Sequence, residues 1–231
     1  NLPEEPVLRK WMGGKGLGLL ILHQELPMGA SPLSPYNPLI FTTGPMTGTG
    51  ITPAGTKYII TTLNAETGFT LGNGRGSGYW APKLKFSGYD GIIVNGSSPK
   101  PVYLWINEGK AELRDASKIW GKDSHDTEDL VKEAVGQPGA SVLTIGPAGE
   151  NLVSYAMITN DKNHCAAHSG VGAIMGSKKL KAIAVYGTKK VPVKDESPVR
   201  EAGKSWAAKL KPYTADSRFS AGTAQPFGAP A

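Results

Sequence analysis

Two glycine-rich stretches of the chain hold the residues best suited to chemistry. The first, residues 73–78 (NGRGSG), places Arg75 among three alternating glycines. Because glycine lacks a Cβ atom, a ligand can approach its main chain closely, and an arginine can bind two phosphate oxygens at once. The stretch is therefore a candidate site for an anionic ligand. The alternative is that its glycines let a helix pack closely on a strand.

The second stretch, residues 163–170 (NHCAAHSG), carries two histidines in place of that arginine. Its Ser169-Gly170 pair aligns with Ser77-Gly78 of the first stretch. Consecutive main-chain amides near a helix start can bind phosphate oxygens. If the two stretches lie side by side about a local twofold axis, they suit a ligand that is itself doubled and anionic.

Further landmarks recur in the same order around the two stretches. A strand-like run with Gly44-Pro45 precedes the first stretch, and a similar run with Gly146-Pro147 precedes the second. Both stretches are followed by a Lys-x-Lys pair and by an apolar run that ends in glycine, IIVNG and IAVYG. The sequence thus predicts an internally duplicated domain with repeats at about residues 30–96 and 140–187.

Short strands and short helices are mixed in both halves, which predicts an α+β fold with mixed sheets. Apolar and β-branched runs predict strands at residues 39–43, 57–62, 91–95, 101–106, 110–114, 141–145, 152–158 and 181–186. Helices are expected from the glycine-rich residues 13–18 to Leu26, at 79–87, at 127–135 with Asp126 as N-cap, and at 199–211. Residues 13–18 lack the order of a phosphate-binding loop and instead indicate a helix start packed on another backbone.

The C-terminal part of the chain differs in composition. Residues 191–231 are predicted to form a helix and a linker, since residues 212–231 are rich in Ser, Ala, Gly and Pro without periodicity. The folded domain is therefore expected within residues 1–190. The linker is expected to lead to domains that this chain does not contain.

Composition and charge argue against several other classes of protein. The net charge of +6 allows an anionic partner, but the basic residues are scattered without interleaved aromatics, so nucleic acid is not expected. The one cysteine, Cys165, excludes a disulfide within the chain and a site built from several of its cysteines. An apolar run of about eighteen residues is absent, which predicts no membrane span and a cytoplasmic protein.

No residue of the chain is predicted to be catalytic. The sequence lacks a carboxylate pair, a Ser-His-Asp order and a metal-ligand spacing of His, Cys and Glu. His164 beside Cys165 could indicate an activated thiolate, but adjacent residues of an extended segment point apart. The pair is therefore interpreted as a small thiol next to a polar histidine.

Several longer motifs, in the same order along about residues 11–190, resemble a known family. They are LSP (33–35), GPMTGT (44–49), LKFSGYD (84–90), RDA (114–116), IWGK (119–122), IGPAGEN (145–151) and GAIMGSK (172–178). Together these motifs are similar to the N-terminal domain of tungsten-dependent aldehyde:ferredoxin oxidoreductases.

The resemblance implies a domain whose two halves form a base for a tungsten bis-pyranopterin cofactor, with molybdenum as the alternative metal. The implied reaction oxidises a small aldehyde to a carboxylic acid and passes electrons through a 4Fe-4S cluster to ferredoxin or an electron-transfer subunit. The cluster and the substrate pocket would lie in further domains, so this chain is not expected to be active alone. The whole enzyme is expected to be an oligomer. The alternatives are a tungsten benzoyl-CoA-type reductase and a non-enzymatic module that binds a phosphate ligand.

The resemblance also implies which residues contact the cofactor. Lys57 and His164 stand where relatives carry phosphate-facing arginines, and these replacements lose bidentate contact. A magnesium ion that bridges the two phosphates would bind main-chain carbonyls of Asn73 and Cys165, with Arg75 as the alternative to Asn73. The complete set of expected cofactor-binding residues is Lys57, Asn73, Gly74, Arg75, Gly76, Ser77, Gly78, His164, Cys165, Ala166, His168, Ser169 and Gly170.

Overall fold

The protein folds into two β-sheets with short helices between and beside them, as shown by a computed structural model that describes residues 3–52 and 55–214. The helices are α1 (Glu5–Trp11), α2 (Gly14–Glu25), α3 (Trp80–Phe86), α4 (Ser124–Val135), α5 (Pro147–Glu150), α6 (Val171–Ser177) and α7 (Glu196–Thr214). The strands are β1 (Leu39–Thr43), β2 (Tyr58–Leu63), β3 (Leu71–Gly76), β4 (Gly91–Val94), β5 (Val102–Asn107), β6 (Lys110–Asp115), β7 (Ser141–Thr144), β8 (Ile158–Asn160), β9 (His164–Ala166) and β10 (Leu180–Tyr186).

The first sheet has the order β3-β2-β1-β4, and all its neighbours are antiparallel. Its central strand β1 (LIFTT) is buried along its whole length, as its β-branched and aromatic residues favour. Helix α2 covers one face. A Cβ atom on Gly13, the N-cap of α2, would lie 3.0 Å from the main-chain oxygen of Thr43, and one on Gly18 would lie 2.4 Å from Thr61 Oγ1. The glycine-rich helix start is therefore explained by close packing, as predicted.

The second sheet has the order β6-β5-β10-β7-β8-β9. Strands β5 and β10 are parallel, and the other neighbours are antiparallel. The α+β prediction is confirmed. The prediction of mixed sheets is correct for this sheet and wrong for the first, because every connection within the first sheet reverses the chain direction.

The same pairing order occurs in both sheets, as β3-β2-β1-β4 and as β9-β8-β7-β10. Phe41 pairs with Ile92 in the first sheet, and Leu143 pairs with Ile183 in the second, at equal distances from the two Gly-Pro landmarks. The Lys-x-Lys landmark is not equivalent in the two halves. Lys83 and Lys85 lie in α3, whereas the second pair lies at the start of β10.

The largest buried cluster is built from both sheets and from α3. The Tyr58 and Trp80 rings are 5.2 Å apart between centroids, in an edge-to-face arrangement that favours aromatic pairs. Trp80 Nε1 donates a hydrogen bond to the carbonyl oxygen of Ile183, at 3.1 Å. A helix of the first half thus packs against the central strand of the second sheet.

Several sequence-based boundaries were wrong. Strand β3 (residues 71–76) was not predicted, and residues 152–157, predicted as part of a strand, lie outside strands. Helix α4 begins three residues earlier than predicted, because the Asp123 side chain, rather than that of Asp126, accepts the capping hydrogen bond. The short helix α6 was not predicted.

The C-terminal helix prediction is confirmed, since residues 199–211 lie within α7. The remainder of the predicted linker, residues 215–231, lies outside the described residues. In the part of the chain that the structure describes, no helix has the length and hydropathy needed to cross a membrane.

Candidate functional site

The two glycine-rich stretches meet where the end strands of the two sheets lie side by side. Arg75 of β3 forms an antiparallel bridge with Ala167, just after β9. Gly76 pairs with Tyr58 at the start of β2, and Ala166 pairs with Ile158 at the start of β8. Continued by one residue, the bridge sets Gly76 opposite Ala166. The two stretches are thus related by a local twofold axis at this point.

The glycines of the first stretch point toward the protein interior. A Cβ atom on Gly76 would lie 2.2 Å from the Tyr58 hydroxyl, and one on Gly74 would lie 3.2 Å from Val171. Gly78, with φ +99°, would place a Cβ atom 2.4 Å from Asp161 Oδ2. Close packing therefore accounts for these three glycines, within the first half at Gly76 and between the halves at Gly74 and Gly78. The alternative of a helix packed on a strand fits Gly74, because Val171 begins α6.

The polar residues of β3 alternate with these glycines and face the other way. Asn73 is half-buried, and its main-chain N–H donates to Ser169 Oγ at 3.0 Å. Arg75 is exposed. The other arginines among the described residues, Arg9, Arg114 and Arg200, are each paired with a glutamate. Arg75 has no such carboxylate partner there, so its guanidinium can receive an anion.

Lys57 precedes β2 and is exposed. Since Tyr58 pairs with Gly76, one further step of the same register sets Lys57 opposite Ser77. The structure therefore places two basic residues of the predicted site, Lys57 and Arg75, on neighbouring strands at the same end of the first sheet. Their charges raise the local positive potential at the exposed end of β3.

A partly buried polar network connects the two stretches next to this surface. Ser77 Oγ and His164 Nδ1 are hydrogen-bonded at 3.0 Å, and Asn160 Nδ2 donates to the carbonyl oxygen of Ser77 at 2.8 Å. Tyr58 donates its hydroxyl hydrogen to Asn160 Oδ1, also at 2.8 Å. Burial, with the nearby charge of Asp161, raises the pKa of Tyr58 well above its ordinary value, so the hydroxyl remains a donor.

The second stretch has more residues with positive φ than the first. His168, Ser169 and Gly170 all have φ between 61° and 69°. Ser169 is buried, and its carbonyl oxygen accepts from the N–H of Ala65 at 3.1 Å. Cys165 and His168 are exposed, and Ala166 is buried. His164 is hydrogen-bonded to Ser77, and Cys165 is its neighbour in strand β9, where adjacent side chains point to opposite faces.

Sequence reasoning missed Asn160 and Asp161, which lie at the centre of this network. Asp161 accepts a hydrogen bond from the main-chain N–H of Tyr79 at 2.6 Å, across 82 positions of the sequence. Contacts between residues so distant leave no local pattern. The one available signal was position, because both residues directly precede the second stretch.

Within residues 3–52 and 55–214, no group of three or more His, Cys, Asp or Glu side chains is placed to hold a metal ion. The magnesium ligands proposed from the sequence are main-chain carbonyls of Asn73 and Cys165, which lie in β3 and β9.

Comparison with known proteins identifies the family. A family model described as "Aldehyde ferredoxin oxidoreductase, N-terminal domain" matches residues 1–187. The chain belongs to this family. The chain is 48% identical over 193 residues to the tungsten-containing aldehyde ferredoxin oxidoreductase of Thermococcus kodakarensis, covering 83% of this chain and 31% of that protein. The protein of the same name from Pyrococcus furiosus is 47% identical over 194 residues, with 84% and 32% covered.

A solved structure shares the fold of this chain. It is the active-site complex BamBC of benzoyl-coenzyme A reductase, in complex with 1,5-dienoyl-CoA. The TM-score is 0.80 and the identity 40%, with 83% of this chain and 29% of that chain covered. The present chain thus spans about a third of the length of the curated relatives that it matches.

Proposed function

We propose that this chain is the cofactor-binding base of a tungsten oxidoreductase, with a tungsten bis-pyranopterin bound over the paired ends of β3 and β9. The observation that carries the proposal is the exposed Arg75, which lies at the bridge between the two strands and has no carboxylate partner in the described part of the chain. The tungsten-containing relatives support the choice of metal.

The residues present fit such a cofactor. A bis-pyranopterin carries a phosphate on each half and holds its metal through its own sulfur atoms. It therefore needs two related phosphate contacts rather than a cluster of metal-binding side chains. Two strand ends related by a local twofold axis, with basic residues beside them, provide those contacts.

The first half would hold its phosphate by permanent charge. The Arg75 guanidinium can donate two parallel hydrogen bonds, and Lys57 adds a second cation. The second half offers His164, His168 and the hydroxyl of Ser169 instead. The carbonyls of Asn73 and Cys165 would bind the bridging magnesium ion, and the remaining predicted residues, Gly74, Gly76, Ser77, Gly78, Ala166 and Gly170, shape the surface between them.

The bound cofactor would supply the redox chemistry, whereas this chain binds and orients it. The complete protein would oxidise a small aldehyde to a carboxylic acid, with electrons leaving through a 4Fe-4S cluster to ferredoxin or an electron-transfer subunit. Molybdenum is the alternative metal. The duplicated halves, the linker to further domains, the cytoplasmic location and an oligomeric assembly are parts of the same proposal.

A second candidate is the reduction of an aromatic-ring thioester of the benzoyl-coenzyme A type. The structural similarity to the benzoyl-coenzyme A reductase complex favours it. Both candidate enzymes would use the same cofactor-binding domain. They would differ in the substrate pocket, which we expect in sequence beyond the third of the relatives that this chain matches.

Metal and pterin analysis tests the proposal. The full-length protein is purified without oxygen from cells supplied with tungstate and molybdate, and its metals and extractable pterin are measured. Tungsten together with pterin is the expected result. Absence of both metals and of pterin would overturn the proposal and favour a non-enzymatic phosphate-binding module. Turnover of an aldehyde or of an aromatic thioester then separates the two enzymes.

A further inference from the structure

At the tip of the hairpin between β8 and β9, one carboxylate connects the two stretches. Asp161 Oδ2 accepts hydrogen bonds from the N–H of Tyr79 at 2.6 Å and from Asn160 Nδ2 at 2.8 Å. Its Oδ1 accepts from Ser141 Oγ at 2.7 Å. We propose that Asp161 is a positioning residue of the site, fixing the first stretch relative to the second. The inference rests on the proposed function.

Asp161 can position both stretches because each of its two sides is close in sequence to one of them. Tyr79 directly follows the first stretch, and Asp161 comes three residues before His164 in the second. The carboxylate also fills the space that a side chain at position 78 would take, since a Cβ atom there would lie 2.4 Å from Oδ2. A ligand with a phosphate on each half needs both contact points within about 0.5 Å of their proper places. The carboxylate of Asp161 adds to the other hydrogen bonds between the two stretches and fixes the C-terminal end of the first stretch, at Tyr79, to the hairpin that leads into the second.

Helix α4 holds the hairpin tip from the outer side. Asp161 and Lys162 have φ of 47° and 58°, in the left-handed region that non-glycine residues rarely adopt. Glu128 Oε2 accepts from the N–H of Lys162 at 2.9 Å, and His125 Nε2 lies 3.0 Å from its carbonyl oxygen. Glu128 is itself buried and ion-paired with Lys132 at 2.6 Å. The strained tip is thus braced, and the Asp161 carboxylate is held in one orientation.

Three variants of the full-length protein separate the carboxylate from the backbone shape. Asp161→Gly removes the carboxylate but suits the left-handed backbone. Asp161→Asn keeps an oxygen for the N–H of Tyr79 and offers an N–H to Ser141 Oγ. Lys162→Gly is the matched control at the neighbouring left-handed position, where the side chain makes an exposed ion pair with Asp129. If Asp161 only shaped the turn, Asp161→Gly and Lys162→Gly would have the same effect on cofactor content.

Tungsten and extractable pterin per polypeptide are measured after gel filtration, together with hydrogen exchange at the Tyr79 amide. Asp161→Gly is expected to lower both contents about tenfold and to speed the exchange, because hydrogen bonds to a charged group are lost. Asp161→Asn and Lys162→Gly are expected to stay within about twofold of the wild type, because the hydrogen bonds to Tyr79 are kept. Equal contents in Asp161→Gly and the wild type would overturn the inference.

Two further results keep the test decisive. If Asp161→Gly does not fold, Ser141→Ala, which removes one of the three donors, should lower both contents about threefold, and unchanged contents would contradict the inference. If the wild type holds neither tungsten nor pterin, the proposed function fails. The Tyr79 amide then decides alone: faster exchange in Asp161→Gly supports the positioning contact, and unchanged exchange refutes it.

Discussion

The two glycine-rich stretches occupy the same place in matching sets of strands but differ in chemistry and in backbone. The first runs through strand β3, with Arg75 permanently charged and exposed on its outer face. The second is a three-residue strand between a strained hairpin and a left-handed turn, and it carries histidines. The matching strand order therefore preserves where the two stretches meet, while each half would hold an anion in its own way.

We expect the largest effect on stability from a substitution of Trp80, which packs between the two halves. Trp80→Ala removes a ring that is packed on Phe41 and Tyr58 and hydrogen-bonded to Ile183 of the second sheet. We expect the free energy of unfolding to fall by about 3–5 kcal/mol, measured by urea denaturation. Trp206→Ala, at a half-exposed tryptophan of α7, is the control and should cost much less. Equal losses in the two variants would show that Trp80 is not packed as described.

Gly76 and Ala166, which lie opposite each other at the local twofold axis, should differ in their tolerance of substitution. Gly76→Ala would force a methyl group against the buried Tyr58 ring, so we expect a loss of about 1–3 kcal/mol in the free energy of unfolding. Ala166→Gly, at the related position of the second stretch, should cost about 1 kcal/mol or less. If urea denaturation shows a larger loss in Ala166→Gly than in Gly76→Ala, Gly76 is not packed against Tyr58 as described.

A smaller effect concerns Lys178, which lies in the second half directly after α6 and whose ammonium group contacts the first half. Its Nζ donates to the carbonyl oxygens of Gly96 at 3.1 Å and of Pro35 at 3.3 Å. Burial lowers the pKa of Lys178 to about 8, from 10.5. Between these values the unfolded chain binds more protons than the folded one, so this group makes stability rise with pH.

Denaturation of the wild type and of Lys178→Met at several pH values checks this. The wild type is expected to gain stability relative to the variant as the pH increases from about 8 to about 10. A constant difference between the two proteins across that range would show that Lys178 titrates normally in the folded state.

The central strands could be predicted from sequence because their apolar, β-branched runs are buried, as in β1 and β10. Strand β3 could not, since its glycines disfavour a strand and only the packing of Tyr58 and Val171 requires them. Residues 152–157 show the opposite case, because their apolar side chains predicted a strand that does not form. Leu152 has φ 57°, and Leu152, Tyr155 and Met157 are exposed rather than buried in a sheet.

The candidate site could be predicted in part. Spacing and residue type pointed to Arg75 and to the pairing of the two stretches, which the structure places side by side. The network around Asn160 and Asp161 could not be found, because its hydrogen bonds join residues about eighty positions apart and depend on the completed fold. The roles of individual residues toward the cofactor remain predictions.

The most direct test of the account compares Arg75→Ala with Arg114→Ala in the full-length protein. Both variants lose one positive charge, but the half-buried Arg114 is paired with Glu112 on β6, at the opposite edge of the second sheet from β9. Tungsten and pterin per polypeptide should fall about tenfold in Arg75→Ala, through loss of a bidentate phosphate contact, and should be unchanged in Arg114→Ala. Equal metal-to-protein ratios in the two variants would contradict the account.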